Sequence, residues 1–155
     1  MKNKTRIYII SILIPLAVGA LSAFLTMGGM EKFGSLRQPP LSPPDWLFPV
    51  AWTILYTLMG ISAARIYLSQ KEENNNALFV YGLQLVVNFF WSILFFNLEA
   101  RLLALIWLIL LISLVLTMIV KFKKLDSSAA YLQVPYLLWL VFAAYLNTGV
   151  WLLNR

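Results

Sequence analysis

Residues 102–120 read LLALIWLILLISLVLTMIV, nineteen consecutive positions without Asp, Glu, Lys or Arg. A helix rising about 1.5 Å per residue needs about 20 residues to cross ~30 Å of hydrocarbon, so this run has the length of one membrane span. It shows no apolar–polar alternation, which argues for a helix rather than a barrel strand. Four further runs of similar length flank it, at 7–26, 46–68, 77–98 and 129–153. Within the five, Arg65 is the single residue among Asp, Glu, Lys and Arg, close enough to the end of its run to snorkel toward headgroups. The pattern predicts an all-α integral membrane protein, with residues 1–155 forming one domain, a bundle of five transmembrane helices.

Composition agrees. The chain has 155 residues, 61% hydrophobic and 12% charged, against about a quarter charged for a soluble domain. There is no Cys and no His, which removes thiolate chemistry, the commonest general base and the commonest metal ligand. The net charge is +6, but the basic residues lie in loops and termini. They read as topology signals and not as a nucleic-acid patch.

Lys2, Lys4 and Arg6 ahead of an apolar run resemble a signal peptide, and Ala17 to Ala23 could mimic a cleavage site. The run at 7–26 is longer than the usual 7–15-residue apolar region, so it reads as a retained span. With five spans, Lys2, Lys4, Arg6, Arg65, Lys71, Lys121, Lys123 and Lys124 share one side, against Lys32, Arg37, Arg101 and Arg155 on the other. This bias predicts a multi-pass protein of the cell membrane with a cytoplasmic N-terminus and an outer C-terminus.

The first loop, 27–45, is long and reads MGGMEKFGSLRQPPLSPPD. Its glycines permit turns and its prolines stiffen the chain. It is either a connector that starts the second helix near Pro44 or a lid over a cavity between helices. The other loops are short, which makes successive helices antiparallel. No internal repeat is visible, and an odd span count argues against two inverted halves.

The span centres hold no ionisable group, which argues against pumps, ion-coupled antiporters and voltage sensors. The same lack leaves no metal site and no catalytic triad. Glu31, Asp45, Glu72, Glu73, Glu99 and Asp126 lie in loops or at span ends and read as solvated charges. The spans are instead rich in aromatic rings, with six Trp, seven Tyr and ten Phe in the chain. Trp46 and Trp151 suit interfacial anchors, whereas Trp52, Trp91, Trp107 and Trp139 lie deeper.

Three helical faces follow from spacing. Trp52, Tyr56, Met59 and Ala63 form one, and Gln84, Asn88, Trp91 and Phe95 a second, with Ser92 beside it. Trp139, Ala143, Leu146 or Asn147, and Val150 form the third. Amides are costly against lipid, so these faces point inward. Gln84, Asn88 and Asn147 then either glue helices together or line a cavity for a flat, largely apolar ligand. Gly19 and Ala23 form a small-xxx-small pair, suited to packing within the bundle or to a dimer contact.

The stretch PPLSPPDWLFPVAWTILYTLMG at 39–60 resembles the translocator protein family, also called tryptophan-rich sensory proteins, in Pro39, Pro43, Pro44, Phe48, Trp52, Tyr56, Met59 and Gly60. Asn88-Phe89-Phe90-Trp91, and Pro135-Tyr136 with Trp139, Phe142 and Leu146-Asn147, resemble further motifs of that family. The resemblance covers nearly the whole chain. It implies a five-helix bundle, often a homodimer, that binds porphyrins such as protoporphyrin and haem in a pocket under the first loop. Carried over by motif, the ligand-binding residues are Pro43, Trp52, Tyr56, Asn88, Trp91, Trp139 and Ala143, with Phe33, Phe48 and Gln84 as weaker transfers. It implies a role for Trp52 and Trp139 in light-dependent protoporphyrin breakdown, the porphyrin being a ligand and no cofactor being expected. Thr148 stands where animal members carry a cholesterol-motif Tyr, so cholesterol binding does not carry over. The functional expectation is a tetrapyrrole-binding membrane protein with a sensory or regulatory output. The alternatives are a transporter of tetrapyrroles or similar apolar molecules, a true enzyme, and a ligand-free scaffold.

Overall fold

The structure, a computed structural model, describes residues 2–155. It is helical, with no strand among the described residues, and five of its helical stretches are long and apolar enough to cross a membrane. These are Asn3–Leu25, Leu47–Ser69, Asn74–Asn97, Arg101–Leu125 and Ser127–Leu153. The chain is therefore a multi-pass membrane protein. Its outward belt carries Ile9, Phe24, Ile54, Phe79, Ile106 and Leu138, large exposed apolar side chains that suit a lipid surrounding.

Helix α1 is Lys2–Leu25, α2 is Met27–Phe33 and α3 is Leu47–Ser69. Helix α4, Asn74–Ser92, continues into a π turn at Ile93–Asn97. Helix α5 is Arg101–Leu125, α6 is Ser127–Leu132 and α7 is Val134–Leu153. The helical bounds overrun several apolar runs. Helix α1 begins in the basic N-terminal residues. Helix α5 continues past residue 120 through Lys123 and Lys124, cations that suit a helix C-terminus.

The run at 129–153 is not one unbroken helix. It divides at Gln133, because Pro135 has no N–H to offer and its ring excludes the carbonyl one turn earlier. The first loop is also partly helical, since α2 occupies its first third.

Packing sets a layout in which α1 lies along α3, and α5 lies against both α4 and α7. The close crossing of α1 and α3 depends on glycine. A Cβ on Gly60 would overlap the backbone of Ile12 and the carbonyl of Ser11. Pro15 leaves that Ser11 carbonyl without its usual helical donor. Gly19 meets the ring of Tyr56 across the same interface, which assigns this half of the small-residue pair to packing within the chain. By contrast, α3 and α7 meet sparsely through their backbones. Large rings fill the space between them.

Asp126 is more than a solvated loop charge. Its carboxylate accepts from the backbone N–H of Ser128 at 2.9 Å and of Ala129 at 3.2 Å, capping α6. Arg65 Nε lies 3.0 Å from it, so this arginine reaches across to α6 instead of simply snorkelling. Burial alone would raise the Asp126 carboxyl, but the Ala129 amide and the Arg65 guanidinium outweigh it and hold the group below its ordinary value.

Candidate functional site

Five rings gather between α3 and α7. Trp52 stacks on Tyr56 with centroids 5.3 Å apart and an interplanar angle of 27°. Its other neighbours stand nearly perpendicular: Trp139 at 6.3 Å and 83°, and Tyr136 at 6.2 Å and 66°. Phe48, in the first turn of α3, meets Trp139 edge-on at 6.0 Å. The i, i+4 spacing of Phe48, Trp52 and Tyr56 puts them on one face of α3. Tyr136, Trp139 and Ala143 share a face of α7 by the same rule.

A second aromatic group lies beside it at the loop end of α4. Trp91 stacks on Phe95 at 5.3 Å and 12°. Phe33, the last residue of α2, meets Phe95 and Phe96 at 5.5 Å each. The π turn holds both phenylalanines. A π turn inside a span is uncommon and marks functional positions in many proteins.

Two separate polar chains link α4 and α7, one at each group. Asn88 Nδ2 donates to the Tyr136 hydroxyl at 2.9 Å, and that hydroxyl donates to Gln84 Oε1 at 2.7 Å. Trp91 Nε1 donates to Asn147 Oδ1 at 3.2 Å, and Asn147 Nδ2 donates to the Arg101 carbonyl at 2.9 Å. Asn88 and Asn147 therefore do act as glue between helices. Gln84 does so only with its carbonyl, since its Nε2 is buried without a partner among the described residues. Tyr81 Oη, one turn away, is likewise buried without one, as are both amide atoms of Gln133 at the break between α6 and α7. Such groups are costly unless something supplies the missing bond.

The first loop is fastened across α7. Gly149 leaves room for the ring of Pro39, which is buried. The Tyr145 hydroxyl donates to the Pro40 carbonyl. Asn154 makes a two-way clasp with the Arg37 backbone, accepting from its N–H at 3.0 Å and donating to its carbonyl at 2.9 Å.

The structure thus brings Phe48, Trp52, Tyr56 and Trp139 together, with Gln84 and Asn88 joined to them through Tyr136. It places Phe33 and Trp91 in the neighbouring group. Ala143 is buried one turn beyond Trp139, and Pro43 is half-buried in the loop. Reading by faces undervalued Tyr136, which bridges Gln84 and Asn88; its position one turn before Trp139 was the available signal. Tyr145 and Asn154 gave no signal at all, because their partners lie more than a hundred residues away in the chain.

This arrangement of motifs has relatives. The family model described as TspO/MBR family matches residues 11–152. The chain belongs to the TspO/MBR family. It is 40% identical to the tryptophan-rich protein TspO of Chlorobaculum tepidum, over 90% of each chain. It is also 40% identical to protein CrtK of Rhodobacter capsulatus, over 88% of this chain and 85% of that one. Similarity extends to animals: the translocator protein of Bos taurus is 33% identical over 92% of this chain and 87% of its own. TspO/MBR membership covers every residue of the aromatic site just described.

Proposed function

We propose that this TspO/MBR member binds a porphyrin between α3 and α7, with Trp52 and Trp139 against the macrocycle. The observation that carries the reading is the near-perpendicular Trp52–Trp139 pair, backed by the buried amide of Gln84 whose Nε2 lacks a partner. A flat ring system gains from stacking on indoles and needs few polar contacts for orientation. The sparse backbone contact between α3 and α7 means that rings, not helices, must yield for it to enter. The output is sensory or regulatory. An indole against a photoexcited porphyrin is also an oxidisable neighbour, which gives a route to light-dependent breakdown without acid–base residues.

The test is a protoporphyrin titration of the purified protein, read by quenching of Trp fluorescence and by the porphyrin absorption band. The Trp52→Phe, Trp139→Phe double variant is expected to bind at least about fivefold more weakly, given about 0.5–1.5 kcal/mol for each of the two indole contacts. Unchanged affinity would remove the assigned site. Under illumination, loss of many protoporphyrin molecules per protein means catalysis, whereas loss that stops near one equivalent means binding alone.

A further inference from the structure

At the end of the bundle that carries the first loop, the start of α5 and the last residues of the chain line an open surface cavity of about 450 Å³. Arg101, Arg155, Trp151, Asn154 and Glu99 line it. Among its side chains, two guanidinium groups stand against one carboxylate. Glu99 is only loosely engaged, its Oε1 lying 3.8 Å from Arg101 Nη2. Arg101 is largely buried, with 16% of its side chain exposed, and its Nε has no partner among the described residues. Arg155 lies over the Trp151 ring at 5.5 Å from the centroid, which orients a second guanidinium toward the same space.

The backbone adds to this field. Helix α5 is 25 residues long and starts at Arg101, and no side chain caps it. Its first N–H groups and the positive end of its dipole therefore face the region of the two arginines. The Asn147 bond to the Arg101 carbonyl holds that helix start against α7. Leu102 and Leu103 form an apolar part of the lining and are themselves exposed, and Leu98 and Leu152 nearby are exposed as well. A cationic recess bordered by lipid-facing leucines at the end of a span lies at headgroup depth.

We propose that this cavity binds a phosphate group. Guanidinium forks match phosphate oxygens, free helix N-terminal amides are a ready anion site, and basic recesses beside spans take lipid headgroups. Two sources share this chemistry: an anionic phospholipid whose acyl chains cover the leucines, and free inorganic phosphate. The site is separate from the aromatic groups, and Arg155 lies outside the 11–152 segment that matches the family.

Native mass spectrometry of the full chain, released from detergent with phosphatidylglycerol or with the phosphate-free digalactosyldiacylglycerol, tests the proposal. The wild type is expected to retain phosphatidylglycerol preferentially. Each of Arg101→Gln and Arg155→Gln should lower retention about fivefold, on the scale of a basic residue at a membrane surface. Glu99→Gln should raise it, which keeps the test decisive if Arg101→Gln fails to fold. Lys124→Gln, at the opposite end of the bundle, should leave it unchanged. Displacement of the lipid by millimolar inorganic phosphate, or saturable phosphate binding with no lipid preference, assigns the source to free phosphate. Equal retention of both lipids with no phosphate binding overturns the proposal. So does phosphatidylglycerol retention that ignores Arg155→Gln and Glu99→Gln alike, or that falls as far with Lys124→Gln.

Discussion

Tyr136 and Asp126 each do what no single-residue pattern announces. Tyr136 satisfies Asn88 and Gln84 together, so removing its hydroxyl leaves a buried donor and a buried acceptor without partners. Tyr136→Phe is expected to cost about 1 kcal/mol, between the general penalty for orphaned polar groups and the smaller values typical of interhelical bonds in membranes. Equilibrium unfolding in mixed detergent micelles measures it. Asp126 caps α6, and Asp126→Ala should cost about 1 kcal/mol for the lost cap. Its half-exposed pairing with Arg65 adds little to that. Because the folded carboxyl is held below its ordinary value, its contribution is complete above about pH 3.9 and is lost as pH falls through the lowered folded value. Asp126→Asn keeps a capping oxygen but should lose that acid-side step, read as a flatter stability–pH curve below pH ~4.

Helix pairs divide into those that touch by backbone and those that touch by rings. The α1–α3 crossing is of the first kind, closed by Gly60 against Ser11 and Ile12. Gly60→Ala is expected to destabilise by about 1–3 kcal/mol, since backbone rather than a flexible side chain stands in the way. Gly82 in α4 offers the contrast, with open space where its Cβ would be. Gly82→Ala should be neutral or stabilise by up to about 1 kcal/mol through helix propensity. Thermal unfolding of the two variants side by side checks both; equal effects would mean that the crossing is not closed by Gly60. The α3–α7 pair is of the second kind. There the side chains of Trp52, Tyr136 and Trp139 set the spacing.

Across the molecule, the first loop joins the beginning of the chain to its end. Pro39, Pro40 and Arg37 all rest on α7, while α2 rests on the π turn through Phe33 and Gly29. The two anchors are separable. Tyr145→Phe with Asn154→Ala removes the clasp on α7 but leaves α2 in place. Amide exchange in residues 34–46 is expected to speed up at least about fivefold, the loss of roughly 1 kcal/mol of local protection per hydrogen bond, with global unfolding little changed. If the loop gates the aromatic site, protoporphyrin dissociation in this variant should accelerate with it. Unaltered exchange would mean that Pro39 in its Gly149 seat holds the loop by itself.

The span count, the lipid-facing surface and the inward faces of α3, α4 and α7 were readable from residue order alone. Hydrophobicity and helical period are local properties, and a run such as 102–120 carries its own solvent preference wherever it lies. The motifs around Trp52, Asn88 and Trp139 were readable for a related reason, since each occupies one helical face. Other features required the folded chain. The break at Gln133 depends on how Pro135 is accommodated within an apolar run. The pairing of Arg65 with Asp126, the Tyr136 bridge, the Asn154 clasp and the meeting of Arg101 with Arg155 all join groups dozens to more than a hundred residues apart. Period and composition describe which face a side chain occupies. Only the packing of one helix on another decides which partner it meets there.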